Sequence, residues 1–507
     1  MPSPLFARKS FAMLQEEVRG ADRLHRVLGP YSLTALGVGA IIGTGIFVLS
    51  GKAAADLAGP AVMLSFVVAG ITCVFAALCY AEFAAMVPVA GSAYTYSYAT
   101  MGELFAWIIG WDLILEYAVA SATVAHGWSH YFQDFLRVAS SDTLVWPARF
   151  GNAPFDYNLT TGDFFSTGAI IDVPAIMIAF AVTAILVKGI RESAGFNALV
   201  VTLKLGVVLL VVGVGATLVD PANWKPFAPF GYGGIGVLGK TLIGQSTAGG
   251  APLGMMAGAA TIFFAYIGFD AVSTHAEEAR NPQRDVPIGI IASLIICTVL
   301  YIAVAAVLTG MIPFHLINRD APVSNAFMQA GKPWAQFVVS LGAVAGITSV
   351  LLVMMLSQPR VFLAMARDGL LPPSFFGAIH PRFKTPWKST IMTGLFVALL
   401  GGLLPLNILA DLVNIGTLLA FLMVCAAVLI MRRTNPNVDR PFRAPGVPFT
   451  PIAGMACSLT LMLSLPGENW LRLFIWLALG FIIYFAYGRK HSVLAKLRRD
   501  EGAPPRP

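Results

Sequence analysis

Long apolar segments alternate with short polar connections from residue 31 to residue 488. A bilayer core about 30 Å thick requires about 20 mostly apolar residues in each helix that crosses it. Twelve segments meet or approach that length, and we number them helix 1 to helix 12: 31–50, 61–83, 104–128, 172–190, 196–218, 256–277, 286–311, 335–357, 389–404, 408–431, 448–466 and 470–488. The pattern predicts an all-α integral membrane protein with twelve transmembrane helices.

Composition and charge agree with this prediction. The 507 residues are 57% hydrophobic and only 12% charged, whereas soluble domains average about 25% charged residues. Lysine and arginine concentrate in the connections that are cytoplasmic if both termini lie inside. We therefore expect a multi-pass protein of the cell membrane with cytoplasmic termini. Basic clusters that face anionic lipid explain the net charge of +7, so we expect no nucleic-acid partner.

Two of the helices carry residues that interrupt a regular helix near mid-span. GVGAIIGTGIF, residues 37–47, places four glycines in helix 1, and FFAYIGFDAVSTHAEEARNP, residues 263–282, places Gly268 and Asp270 in helix 6. Glycine costs a helix roughly 1 kcal/mol relative to alanine, and non-helical backbone at membrane depth requires surrounding protein or a water-filled cavity. We predict that both helices are broken. Close packing through small residues is the alternative for helix 1.

The positions of the two breaks indicate how the chain is organised. Interrupted helices at corresponding places of two inverted halves are typical of a transporter binding site. We therefore predict a cytoplasmic N-terminal tail at 1–28, inverted repeats of five helices at 29–220 and 221–432, helices 11 and 12 at 433–490, and a cytoplasmic C-terminal tail at 491–507. The exposed N–H and carbonyl groups of broken helices attract a carboxylate and an ammonium group, respectively. An amino acid offers both.

Ionisable residues inside apolar segments are costly and almost always face protein or a water-filled cavity. Lys204 lies deep in helix 5, and burial disfavours the charged form of an amine. We favour a reversible proton carrier at this position over a permanent ion pair with an acid. Asp112 and Glu116 share one face of helix 3. For these two acids and Asp270, selection of a cationic substrate and capping of broken helices both remain open.

The cysteines and histidines give little sign of a disulfide or a metal site. The five cysteines all fall in predicted spans, and none forms a CxxC pair. His126 and His130 stand four apart on helix 3, which is a spacing found among metal ligands, but the sequence offers no third ligand nearby. We expect a structural or water-facing role for this pair, and no metal.

These stretches resemble the amino acid, polyamine and organocation transporter superfamily, and within it the bacterial permeases similar to cationic amino acid transporters. The motifs that carry the resemblance include GVGAIIGTGIF, GWDLILEY, FFAYIGFDAVSTHAEEARNPQRDVPIGI and GAVAGITSVLLVMM, and it extends over residues 24–492. The resemblance implies a LeuT-type fold, which is a 5+5 inverted repeat with two extra C-terminal helices and with helices 1 and 6 interrupted. It also implies transport by alternating access.

The resemblance implies roles for particular residues. Those that would bind a substrate carboxylate are Gly43, Thr44 and Gly45, and those whose carbonyl groups would bind its α-amino group are Ile41, Phe264, Ala265 and Ile267. Phe264 would also be an aromatic lid. Lys204 would carry the coupling proton, with Thr348 and Ser349 of helix 8 as neighbours. The remaining pocket residues would be Glu116, Asp270 and Met354, with Met355 a less favoured choice than Met354.

Together these inferences predict a proton-coupled symporter of amino acids. A methionine against the pocket favours small neutral substrates such as alanine, although methionine also fills gaps in cores. The alternatives are a cationic amino acid or polyamine transporter or exchanger and, less favoured, a membrane amino acid sensor. Neither a Ser/His/Asp set nor an HExxH motif occurs, so we predict no enzyme, no catalytic residue and no cofactor beyond the proton. A small single-helix partner protein stays an open question.

Overall fold

The computed structural model describes residues 6–9, 28–87, 92–158, 163–189 and 194–501, with the backbone alone for 194–199, 277 and 498–501. Within these ranges, seven helices are long and apolar enough to cross a membrane, and five shorter helices are also apolar. Every one of the predicted segments overlaps a helix of the structure. Most of the predicted N-terminal tail, at residues 1–5 and 10–27, lies outside the described residues.

Ten of the numbered helices have a regular α-helical body. Their bounds, from helix 2 to helix 5 and from helix 7 to helix 12, are Val62–Met86, Glu103–Ala139, Val173–Lys188, Ala194–Ala216, Pro282–Met311, Pro333–Arg367, Trp387–Leu403, Leu406–Thr434, Phe449–Ser464 and Gly467–Ile483. Helices 4, 7 and 8 have proline in the first turn, where its missing N–H costs no hydrogen bond. Short helices cover Ser92–Thr100, Pro322–Gln329, Pro373–Phe376, Arg489–His491 and Val493–Glu501.

Three small antiparallel sheets modify the all-α prediction. They pair β1 (Phe155–Asn158) with β2 (Asp163–Ser166), β3 (Ile235–Val237) with β4 (Lys240–Ile243), and β5 (Gln245–Ser246) with β6 (Pro252–Leu253). All of them lie in the connections between helices 3 and 4 and between helices 5 and 6. The hydrophobic pattern did not predict these short strands, and they leave the helical body unchanged.

Helix 3 is the longest helix and lies at the centre of the packing. It contacts helices 8 and 10 extensively, while helix 7 packs on helices 1 and 2 and helix 9 on helix 4. Two glycines of helix 3 allow close approach of its neighbours, because a Cβ at Gly110 would lie 2.9 Å from Met365 Sδ and one at Gly127 would lie 2.4 Å from Thr44 Cγ2. Helix 3 therefore forms a scaffold against which the interrupted part of helix 1 is held.

Candidate functional site

Helix 1 is interrupted where its glycines predict a break. Its first half spans Pro30–Ile41, and Ile42 then adopts an extended conformation with φ −73° and ψ 102°. The chain resumes at Gly45–Leu49 as a π-helical turn and continues through Ser50–Ala53 and Ala54–Ala58. A break of this kind frees backbone carbonyl groups that a continuous helix would use.

The glycines of helix 1 also permit close packing, which was the alternative interpretation. A Cβ at Gly43 would lie 2.8 Å from Val350 of helix 8, and one at Gly37 would lie 2.5 Å from Ser293 of helix 7. The two interpretations are therefore not exclusive. Because these glycines do not share one helix face, each approaches a different neighbour rather than forming a single packing stripe.

Helix 6 is interrupted as well. An α-helix at Met255–Ile262 passes into a 3-10 turn at Phe263–Tyr266, and Ile267 is extended with φ −61° and ψ 134°. Gly268 follows with φ 118°, a conformation that side chains beyond glycine rarely adopt. Short helical turns then cover Ala271–Thr274 and Ala276–Glu278.

The two breaks touch each other. A Cβ at Gly45 would lie 2.3 Å from the Cα atom of Ala265, and one at Gly268 would lie 2.9 Å from the Ala40 carbonyl oxygen. Only glycine at these positions lets the two backbones come this close. The breaks of helices 1 and 6 thus form one continuous buried region of irregular backbone.

Tyr301 of helix 7 joins the two breaks, and sequence reasoning missed it. Its buried hydroxyl lies 2.8 Å from the carbonyl oxygen of Ile41 and 2.9 Å from that of Ala265. A hydroxyl has a single proton, so it donates to one carbonyl at a time. These two carbonyls belong to the set that the resemblance assigns to an α-amino group. The one available signal was a tyrosine in the otherwise apolar stretch LIICTVLYIAVAAVL.

Thr44 lies at the start of the second half of helix 1. Its side chain is buried against Gly127, and its Oγ1 atom has no hydrogen-bond partner among the described residues. An unpaired buried hydroxyl costs free energy, so a ligand atom that bonded to it would gain stability. Gly43, Thr44 and Gly45 lie at the break of helix 1, and Gly45 lies against Ala265 of helix 6.

Met354 belongs to helix 8, and Phe264 belongs to the break of helix 6. Met354 is buried and follows Val350 by four residues, so both side chains share the face of helix 8 that contacts Gly43. Phe264 belongs to the 3-10 turn of helix 6 and is nearly buried. Met355 is buried too, but it projects from a different face of the helix.

The three acidic residues Asp112, Glu116 and Asp270 do not all face the same neighbours. Asp270 Oδ2 accepts a hydrogen bond of 2.8 Å from the Tyr117 hydroxyl. Asp112 instead faces helix 10, where a Cβ at Gly416 would lie 2.9 Å from its Oδ1 atom. Both oxygens of Asp112 and one each of Glu116 and Asp270 lack a hydrogen-bond partner within the described part of the chain.

Lys204 binds the backbone at the first break. Its side chain is 2% exposed, and its Nζ atom donates to the carbonyl oxygens of Gly39 at 2.6 Å and Ile42 at 3.1 Å. A Cβ at Gly346 of helix 8 would lie 3.3 Å from Lys204 Cγ. The amine therefore connects helix 5 to helix 1 while its methylene groups pack on helix 8.

Lys204 forms no ion pair among the described residues, so the alternative of a permanent pair with an acid is not what the structure shows: two backbone carbonyls accept from its amine. Gly346 of helix 8 lies beside its methylene groups. The Thr348 hydroxyl donates to Val344 at 2.7 Å and the Ser349 hydroxyl donates to Gly346 at 3.3 Å.

The histidine pair also differs from expectation. The sequence offered no third ligand near His126 and His130, but the fold brings Asp172 beside them: one carboxylate oxygen lies 3.3 Å from His126 Nδ1. Asp172 lies 42 positions beyond His130, at the start of helix 4, so only the tertiary structure reveals this neighbour.

Comparisons with known proteins agree with these features. The family model described as "Amino acid permease" matches residues 28–487. Among curated proteins of Bacillus subtilis (strain 168), the chain is 46% identical over 495 residues to the branched-chain amino acid permease BcaP and 44% identical over 494 residues to the methylthioribose transporter. Each alignment covers 97% of this chain and 100% of the relative. A vacuolar cationic amino acid transporter 2 of Arabidopsis thaliana is 40% identical over 82% of this chain and 61% of its own length.

The family match and these relatives identify a multi-pass membrane transporter and not an enzyme. The chain belongs to the amino acid permease family. Its relatives support amino acid transport as the activity.

Proposed function

We propose that this protein is a proton-coupled symporter of small neutral L-amino acids that works by alternating access in the cell membrane, with both termini cytoplasmic. One observation carries the proposal: a buried lysine amine holds the carbonyl groups at the break of helix 1. A titratable cation at that place links proton binding to the conformation of the substrate region.

The pattern of helix contacts supports a LeuT-type fold with twelve transmembrane helices. A 5+5 inverted repeat relates each of the first five helices to the one five positions later. The extensive contacts of helices 2 and 7, 3 and 8, and 4 and 9 each join related helices. The contact between helices 1 and 7 corresponds in the other repeat to the contact between helices 6 and 2, and both are present. In the same way, the contact between helices 3 and 10 corresponds to the contact between helices 8 and 5.

Proton coupling would act through the charge of Lys204. A protonated amine donates to both the Gly39 and Ile42 carbonyls, and these hydrogen bonds offset part of the free energy required to bury a cation. Loss of the proton removes the charge and weakens both bonds. Helix 1 would then be free to move relative to helices 5 and 8, which shifts the protein between conformations of different substrate affinity.

The substrate would bind along the touching breaks. The N–H groups that begin the second half of helix 1 and the Thr44 hydroxyl suit a carboxylate. An α-amino group would donate to the carbonyl groups of Ile41, Phe264, Ala265 and Ile267. A carbonyl oxygen can accept two hydrogen bonds, so those of Ile41 and Ala265 can bind the amino group as well as the Tyr301 hydroxyl. Met354 limits the space for a side chain. The name of the 46% identical relative, a branched-chain amino acid permease, also favours a neutral substrate.

A cationic substrate is the second candidate, and the unpaired oxygens of Asp112 and Glu116 favour it. The name of the Arabidopsis relative, a cationic amino acid transporter, points the same way. Asp112 faces helix 10, where a Cβ at Gly416 would lie 2.9 Å from its Oδ1 atom. We prefer the neutral class because the 46% identical relative is named for branched-chain amino acids.

The test is uptake by the purified protein in liposomes, with and without an inward proton gradient. The panel is alanine, valine, arginine and methylthioribose, with empty liposomes as control. We expect a neutral amino acid to accumulate only when the gradient is present. Uptake that needs preloaded internal substrate but no gradient would contradict symport, and arginine as the preferred substrate would establish the second candidate.

A further inference from the structure

The outer end of helix 3 carries a cluster that the transport proposal does not use. His126 and His130 lie on successive turns, with ring centroids 4.7 Å apart. One ligand atom from each of His126, His130 and Asp172 lies within 4.8 Å of the other two. The side chains of His126 and Asp172 are 2% and 0% exposed. Three potential metal ligands from two helices therefore share one small volume.

The carboxylate of Asp172 is held in place by its other contacts. Its Oδ1 atom accepts from the Ser129 hydroxyl at 2.6 Å and from the Ala175 N–H at 3.1 Å, where it caps helix 4. The Oδ2 atom is left with no hydrogen-bond partner among the described residues. It lies 3.3 Å from His126 Nδ1, which also lies 3.2 Å from the Gly401 carbonyl oxygen. The free oxygen thus faces the imidazole pair.

A fourth polar group approaches from the connection between helices 7 and 8. Asp320 Oδ1 lies 3.3 Å from His130 Nδ1, and that nitrogen has no hydrogen-bond partner within the described ranges. The Asp320 side chain is 63% exposed, so the cluster has access to the outer solution on this side.

We propose that His126, His130 and Asp172 bind a divalent transition-metal ion of the Zn²⁺ class, with Asp320 as the fourth ligand. Two imidazoles and carboxylates suit zinc, whereas Ca²⁺ and Mg²⁺ prefer oxygen alone. Ligand atoms of a tetrahedral zinc site lie about 3.3 Å apart. The two contacts of 3.3 Å match this spacing, and the ligand atoms of His126, His130 and Asp172 all lie within 4.8 Å of one another.

Metal binding would have a mechanical consequence. The connection that carries Asp320 packs over the outer half of helix 1, where a Cβ at Gly51 would lie 2.2 Å from Pro322. An ion held by all four residues would tie this connection to helices 3 and 4. We therefore expect Zn²⁺ added from outside to restrain the outer side of the transporter.

Binding is tested on the purified full chain, freed of metal with a chelator and titrated with Zn²⁺ by calorimetry. We expect one ion per chain, and an affinity about tenfold weaker or more in His130→Ala and Asp172→Asn. His315→Ala, a histidine of the same outer connection, is the matched control and should bind as the original chain does. Absence of Zn²⁺ binding, or unchanged affinity in the His126→Ala/His130→Ala double variant, would overturn the proposal.

Asp320→Asn tests the proposed fourth ligand. Unlike Asp172, Asp320 does not cap helix 4, so the change leaves that helix start intact. We expect weaker Zn²⁺ binding in this variant. We also expect Zn²⁺ to slow hydrogen exchange of residues 317–320 in the original chain but not in the variant. Equal affinity and equal protection in the two proteins would refute the assignment of Asp320. Both measurements are independent of transport, so their failure would leave the symport proposal standing.

Discussion

Tyr301 shows how one residue can unite two backbone breaks. Its hydroxyl bonds to the carbonyls of Ile41 and Ala265, while its ring packs against Phe66 and Tyr266. No sequence rule links a tyrosine in helix 7 to glycines in helix 1, because the contact spans 260 positions. Residues of this kind could not be predicted, whereas Lys204 could, since a buried charge is conspicuous in an apolar segment.

We expect Tyr301→Phe to lower the melting temperature of the purified protein. The ring contacts remain, but the carbonyls of Ile41 and Ala265 lose the single donor that they share, at a cost of about 1 to 3 kcal/mol. Thermal unfolding in detergent measures the effect, and Tyr232→Phe, at an exposed position, is the control. Equal melting temperatures for Tyr301→Phe and the original chain would show that the hydroxyl does not stabilise the breaks.

Met354 is the residue on which the substrate prediction depends. We expect Met354→Ser to enlarge the pocket and allow arginine to compete with a neutral substrate, because side-chain volume at this position limits what fits. Competition for uptake in liposomes measures this. Met355→Ser removes an equally buried methionine from another helix face and should still exclude arginine. If arginine competes in neither variant, Met354 only packs the core.

At the scale of elements, glycine spacing predicted the interruptions but not their mutual contact. The sequence indicates where helices 1 and 6 lose regular structure, since glycine is unfavourable within a helix. It does not indicate that Gly45 lies against Ala265, because this depends on how all the neighbouring helices pack. The short strands could not be predicted either, because two to four residues are too few to show a hydrophobic periodicity.

We expect Gly45→Ala to abolish substrate binding. The added Cβ would meet backbone at 2.3 Å, which no side-chain rotation relieves, so the two breaks must separate. Substrate-induced thermal stabilisation measures binding, because a ligand that prefers the folded state raises its stability. Gly213→Ala in helix 5, where a Cβ meets nothing within 4 Å, should keep full stabilisation. The same stabilisation in Gly45→Ala would disprove the need for close approach.

At the scale of the whole molecule, contacts on both sides enclose the central region. On the side that we propose to be cytoplasmic, Lys9 pairs with Asp368 at 2.5 Å, and the Ser492 hydroxyl donates to Glu103 at 2.5 Å. On the side that we propose to be outside, Pro322 packs on Gly51. Transport requires these two sides to open in turn, so some element must respond to the coupling ion. The links of Lys204 with helix 1 and helix 8 make it that element in our account.

The pH dependence of uptake in Lys204→Ala tests this account most directly. Uptake by the original chain should accelerate as the external pH is lowered, because protonation of Lys204 favours the substrate-binding conformation. Lys204→Ala should bind substrate but lose this acceleration, and Lys204→Arg, whose charge is permanent, should lose it too. Lys240→Ala, at an exposed position, is the control and should respond as the original chain does. Acceleration at low pH that persists undiminished in Lys204→Ala would contradict proton coupling through this residue.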